Sequence, residues 1–195
     1  CDALLDCSDS AASILELLAR KLFITRLEGP ENWYRYHPLF REFLTIKLRD
    51  QAPEEYERLH ACAGRLAQAE GRWDTAIYHF QEAGCWDLAV GLLEAVAAKV
   101  YEQGQWQSLT RWLDALPAAI REAYPTLQIW RAKICVEMED LDEALRLLHT
   151  ACQALRQQAG CSQTLAVALV ERGSVRSLIG DHRGALDDCQ EVLAM

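Results

Sequence analysis

Hydrophobic positions along this chain of 195 residues recur at two different spacings. In AASILELLARKL, Ile14, Leu17, Leu18 and Leu22 fall at helical intervals behind Ser8, Asp9 and Ser10, which offer N-caps, so a helix is expected over about residues 10–21. The segments LFITRL and WYRYH, crowded with aromatic and β-branched residues, then flank the turn-prone Glu28-Gly29-Pro30-Glu31-Asn32. That order predicts one β-hairpin at about residues 23–36. Pro38 suits a first helical turn, and behind it Leu39, Phe40, Phe43, Leu44 and Leu48 return to helical spacing. From Pro53 onward no strand pattern follows. Only helical periods remain, broken at Gly71, Gly84, Gly104, Pro117, Pro125, Gly160 and Gly180.

The breaks themselves repeat. Gly71-x-Trp73-x-x-Ala76, Gly84-x-Trp86-x-x-Ala89, Gly104-x-Trp106-x-x-Leu109, Glu139-x-Leu141-x-x-Ala144 and Gly180-x-His182-x-x-Ala185 share one pattern. Physically, Gly ends one helix in a left-handed cap, a bulky residue plugs the turn, and a small residue lets the next helix pack closely. The intervals Ala76 to Leu109, Leu109 to Ala144 and Ala144 to Ala185 are 33, 35 and 41 residues, near the tetratricopeptide period of about 34. Twelve residues before each small position lie Gly64, Ala97, Ala132 and Gly173, and seven after it lie Ala83, Leu116, Ala151 and Val192. These resemble the compact positions of tetratricopeptide repeats, with longer helices or an enlarged turn expected near Gly160. The fold class expected is therefore all-α: a tetratricopeptide-like right-handed superhelix over residues 51–195. Before it, residues 1–50 form the C-terminal part of a winged-helix module with one β-hairpin.

Composition narrows the function. Apolar residues make up 51%, but no uninterrupted apolar run approaches the roughly 18 residues that span a bilayer, so no membrane association is expected. The formal charge of −9, without a basic stripe, disfavours direct binding of nucleic acid. Eight cysteines lack C-x-x-C pairing and read as buried reduced thiols of a cytoplasmic protein, with no metal site expected. No nucleophile, base and oxyanion donor assemble in the sequence, so the chain is not expected to be an enzyme. It starts at Cys1 and reads as a piece of something longer.

The order LF…L…WYRYHPLF…FL, followed by LDALP and YPTLQIWRA, resembles the MalT-like regulators, large LuxR-type transcriptional activators of the STAND class of signal-transduction ATPases. The resemblance covers essentially the whole chain and implies a bacterial, cytoplasmic regulator. Such a regulator carries an ATPase module, a winged-helix part, a helical-repeat sensor and a DNA-binding helix-turn-helix. This chain has no G-x-x-x-x-G-K-[ST], so no cofactor is expected here and ATP or ADP belongs to the parent. The resemblance also implies a role for His37: contact with the nucleotide's β-phosphate in a resting, ADP-bound state. Pro38 departs from the Asp of many relatives, and on the simpler reading His37 caps the helix that Pro38 opens.

Other candidates have simpler readings too. Trp33, Tyr34, Tyr36 and Phe40 are expected to pack the hairpin on its neighbours rather than stack on a ligand, and Trp73, Trp86, Trp106, Trp112 and Trp130 to fill gaps between helices. His60 with Cys62, and His149 with Cys152, share helix faces without making a metal site. The carboxylates Glu137, Glu139, Asp140, Asp142 and Glu143 read as a solvated turn near a helix N-terminus. Carrying the repeat register across places Arg58, Arg65, Gln68, Glu94, Tyr101, Glu102, Lys133, Glu137, Ser174 and Ser177 on a concave groove, suited to a peptide or a polar small-molecule inducer. The function expected is a sensing and autoinhibitory region that relays this occupancy to the attached ATPase; the alternative is a tetratricopeptide scaffold for protein partners.

Overall fold

Five times among the described residues a helix ends in a left-handed residue and the next begins two positions later. Gly71, Gly84, Gly104 and Gly180 have φ between 62° and 88°, and Glu139 adopts φ 62° at the matching place. The same pair of backbone bonds closes each turn: Gly71 N–H to Gln68 O and Arg72 N–H to Ala67 O at the first, Glu139 N–H to Val136 O and Asp140 N–H to Cys135 O at the fourth. These bonds satisfy carbonyls that a helix end otherwise leaves open. Glycine enters this conformation without steric cost, whereas Glu139 pays about 1 kcal/mol for its Cβ.

The computed structural model describes residues 23–26, 34–158 and 160–195, together with Leu18. The helix expected over residues 10–21 and the hairpin's turn lie outside the described residues, Leu18 excepted. Strands β1 (Ile24–Arg26) and β2 (Tyr34–Tyr36) pair antiparallel with Ile24 opposite Tyr36, giving the expected hairpin. Helices follow: α1 (Pro38–Gln51), α2 (Pro53–Ala69), α3 (Trp73–Glu82), α4 (Trp86–Glu102), α5 (Trp106–Asp114) and α6 (Ala118–Ala123). The last four are α7 (Pro125–Glu137), α8 (Leu141–Gln157), α9 (Ser162–Leu178) and α10 (His182–Leu193). Each bulky plug of the repeated pattern, from Trp73 to His182, is the first residue of its helix. Helices α8 and α9, of 17 residues each against 9 in α5 and 13 in α7, lengthen the interval that ends at Ala185 to 41 residues. Among the described residues the fold is all-α apart from this hairpin, and no helix is long and apolar enough to cross a membrane.

The chain divides into two units, Cys1–Cys85 and Trp86–Met195. In the first, α2 packs on α3 around Tyr56, Ala67, Ala76, Ile77 and Phe80, all at or below 4% exposure. Burying Ile77 and Phe80 contributes about 1.5–3 kcal/mol each. By contrast α1 has no buried residue, and Leu39, Phe43 and Ile46 stay exposed. In the second unit α7 packs on α8, α8 on α9 and α9 on α10, around a core that includes Ala132, Ala144, Leu148, Ala151, Ala168 and Leu169. The compact positions read from the repeat are all buried except Val192, which is half-buried.

Two side-chain expectations need correction. The cysteines from Cys62 to Cys189 are free thiols, but only Cys152 is fully buried and Cys189 is exposed, because position 189 falls on the outer side of α10. Trp112 fills a gap between helices at 5% exposure, whereas Trp130 stays half-exposed on one face of α7.

Candidate functional site

In the second unit, α4, α7 and α9 are the first helices of successive pairs, and side chains on one stripe of each meet their neighbours. On α7 that stripe is Thr126, Trp130, Lys133 and Glu137, spaced four, three and four, so all project to one side. Thr126 donates its hydroxyl to Glu94 of α4, and Tyr101 of α4 donates to Glu137. Toward α9, Lys133 Nζ donates to Glu171 Oε1 at 2.6 Å, with both side chains about three-quarters buried. Tyr124, just before α7, donates to Asp87 Oδ1 at 2.8 Å.

Aromatic rings frame these bonds. The Tyr101 and Trp130 rings lie 5.9 Å apart, Trp106 stands 6.4 Å from Tyr101, and Trp106 Nε1 donates to the Tyr101 carbonyl at 3.2 Å. Lys133 Nζ sits over both, 5.3 Å from the Tyr101 centroid and 5.4 Å from that of Trp130. A cation so placed is held by the rings' quadrupoles as well as by Glu171. Burial and the Glu137 carboxylate push the Tyr101 hydroxyl well above its ordinary pKa, so it stays a donor at any physiological pH. Beside Lys133 opens a cleft of about 260 Å³, whose floor combines Trp130 and Ile129 with Thr126, Gln163, Thr164 and Val167. Apolar rings with a few fixed polar groups suit a small polar ligand or a peptide side chain.

Four of the residues read from the repeat register thus come together here: Glu94, Tyr101, Lys133 and Glu137. Arg58, Arg65 and Gln68 are exposed on α2 of the other unit, where Arg58 pairs with Glu55 at 2.7 Å. Glu102 is exposed at the end of α4. Ser174 returns its hydroxyl to the Val170 carbonyl at 3.0 Å, and Ser177 is exposed on α9. Thr126, Trp130 and Glu171 were not among the expected groove residues. The four-three-four spacing from Thr126 to Glu137 is the signal that finds the first two, and Glu171 is found only through the packing of α9 on α7. The carboxylate turn behaves as expected, with Asp140 accepting the Glu143 N–H at 3.2 Å to cap α8.

His37 stands at the N-cap of α1 with extended backbone (φ −56°, ψ 133°), and its imidazole makes no cap hydrogen bond. Its backbone does the local work instead: the N–H donates to Phe23 O and the carbonyl accepts from Arg41, both at 2.9 Å. The exposed ring is left without a capping role. Nearby, Phe40 stacks on Phe23 at 4.5 Å and lies 6.0 Å from Tyr36, as expected for a packed hairpin; Trp33 lies outside the described residues.

Residues 1–56 match the MalT winged helix domain family. The HTH-type transcriptional regulator MalT of Vibrio parahaemolyticus is 31% identical over 144 residues, covering 73% of this chain and 16% of that protein. The chain is MalT-like. MalT of Yersinia pestis is 26% identical over 185 residues, covering 94% of this MalT-like chain and 20% of that protein. MalT of Vibrio cholerae is 31% identical over 129 residues, 66% of this chain and 14% of its own length. The chain therefore spans a fifth or less of the MalT regulators it matches.

Proposed function

We propose that this MalT-like chain is the sensing and relay region of a transcriptional regulator. A peptide or polar small-molecule inducer docks in the cleft between α7 and α9, and its occupancy shifts the balance between a resting and an active arrangement. In the resting one, residues 1–56 adjoin an attached nucleotide-binding module and His37 contacts the phosphate of bound ADP. The observation that supports the reading best is the grouping of Trp130, Tyr101, Lys133 and Glu171, where an ammonium already lies between two rings. For occupancy to act as a signal, the inducer must bind one arrangement better than the other. The exposed His37 imidazole, free of a helix cap, suits a role directed outside this chain.

The test uses the intact regulator with a transcriptional reporter. Trp130→Ala and Lys133→Met should lower induced transcription and leave the uninduced level in place, whereas His37→Ala should raise the uninduced level with weaker ADP retention. A resting-state contact of this kind is a coupling of about 1–3 kcal/mol, or about 5- to 150-fold in the resting-to-active ratio. Full induction in both cleft variants would refute the inducer site. Unchanged ADP retention in His37→Ala would refute the relay contact.

A further inference from the structure

A second cleft in the same unit, framed by α5, α6, α7 and α8, has the opposite chemistry. Its volume is about 350 Å³, and Arg121, Arg131 and Arg146 line it with Glu122 and Glu143. In a chain of net charge −9, three arginines around one cavity stand apart from the general acidity. Arg131 is paired with Asp114, and Arg146 with Glu143 at 2.6 Å. Both pairs are at least partly solvent-exposed, and such pairs exchange partners at little cost. Arg121 differs: its Nη1 donates to the carbonyls of Asp114 and Leu116, each at 3.0 Å, and among the described residues no carboxylate neutralises it.

An independent observation concerns the wall of the same cleft. Gln128, at 8% exposure, lines it, and its Nε2 donates to the Arg121 carbonyl at 3.3 Å, which orients the amide. That orientation leaves Oε1 as the one buried side-chain oxygen or nitrogen among the described residues without a hydrogen-bond partner. A buried acceptor left unmet costs more than a bond there would add, so such an atom calls for a donor.

We infer that this cleft binds a small hydroxylated organic anion. Its phosphate or carboxylate lies among Arg121, Arg131 and Arg146, and a hydroxyl or amide N–H of the same molecule donates to Gln128 Oε1 once the side chains that now cover this oxygen move aside. Guanidinium forks match the planar or tetrahedral oxygens of such groups, and the free charge of Arg121 supplies attraction that the paired arginines alone do not. The site shares no lining residue with the cleft between α7 and α9, and stands or falls independently of it.

Isothermal titration calorimetry of the full chain tests this with glycerol 3-phosphate, glycerate and glycerol, which share hydroxyls but differ in the head group. Saturable binding of at least one anion and none of glycerol is expected, weakening with added salt. Tighter glycerol 3-phosphate would assign a phosphate ligand, and tighter glycerate a carboxylate. Arg121→Gln and the more exposed Arg146→Gln should each weaken binding about tenfold. Gln128→Leu should weaken it too while the melting temperature holds or rises, because the unmet acceptor is gone. Saturable glycerol binding, no saturation by either anion at millimolar concentration with the chain folded, or unaltered affinity in all three variants would overturn the proposal.

Discussion

The α2–α3 and α9–α10 crossings follow one sequence pattern and are filled by different chemistry. In both, a glycine of the first helix faces the second helix, Gly64 against Phe80 and Gly173 against Ala185 and Asp188. At the first crossing the Phe80 ring occupies the space, so close that a Cβ on Gly64 would come within 2.6 Å of it. At the second, a Cβ on Gly173 would meet Ala185 O and Asp188 Cβ at an ordinary 3.6 Å. There the space beside it is filled by Arg172 and Asp188, 4% and 2% exposed, joined by bonds of 3.1 and 2.5 Å. Arg176 adds a bond of 3.0 Å to Asp188 and one of 2.8 Å to Gly184 O. The repeat thus keeps two positions small, while the space beside them is filled from different places in the register, by Phe80 four residues after Ala76 and by Asp188 three residues after Ala185.

Breaking the charged crossing should have the largest effect. Asp188→Ala strands Arg172 in the interior and should cost about 3–5 kcal/mol, read as a fall in the melting temperature; Arg172→Met with Asp188→Leu should recover most of it. A double variant as unstable as Asp188→Ala alone would show that the ion pair is not what fills this crossing. The glycines sharpen the contrast. Gly64→Ala overpacks against Phe80 and should cost about 1–3 kcal/mol, whereas Gly173→Ala meets no clash and should stabilise by up to about 1 kcal/mol through helix propensity. Equal effects at the two positions would show that the two crossings are packed alike.

Much of this was legible before the structure. The five turns could be placed because Gly and a bulky residue recur at fixed separation, and even Glu139, which lacks glycine's freedom, could be aligned by Leu141 and Ala144. The hairpin was legible from the aromatic and β-branched residues crowded on both sides of Glu28–Asn32. The buried pair was not, since Arg172 and Asp188 look like ordinary solvated helix residues until α9 and α10 are packed. The candidate cleft was half legible for a similar reason: the repeat register marks which helix faces are shared, but not which exposed-looking side chains, such as Glu171, reach across to the next helix. Gln128 gave no signal, because an unmet acceptor exists only relative to its neighbours.

At the turns, Glu139→Gly should stabilise by about 1 kcal/mol by relieving the left-handed Cβ strain, while Gly180→Ala should cost a similar amount. Thermal melts of the two variants shifting in the same direction would contradict the common turn. The smallest effect is expected from protons at the apolar crossing, where His60 and His79 place their Nδ1 atoms 3.2 Å apart. Burial holds both imidazoles below their ordinary pKa of 6.5, and for His79 the neighbouring His60 and Arg72 charges add to this. Because the folded state binds these protons more weakly than the unfolded one, their contribution is fully present above pH 6.5 and is lost as pH falls below it. His60→Gln with His79→Gln should flatten stability between pH 7 and 5; an unchanged slope would remove the pair from the account.

The most direct measurement of the sensing role is hydrogen exchange of the intact regulator with and without its inducer, followed by peptide. The account predicts slower exchange in residues 126–137 and 163–174 upon induction, and loss of that protection in Trp130→Ala. Protection confined to other parts of the regulator, with these two segments unchanged, would contradict it.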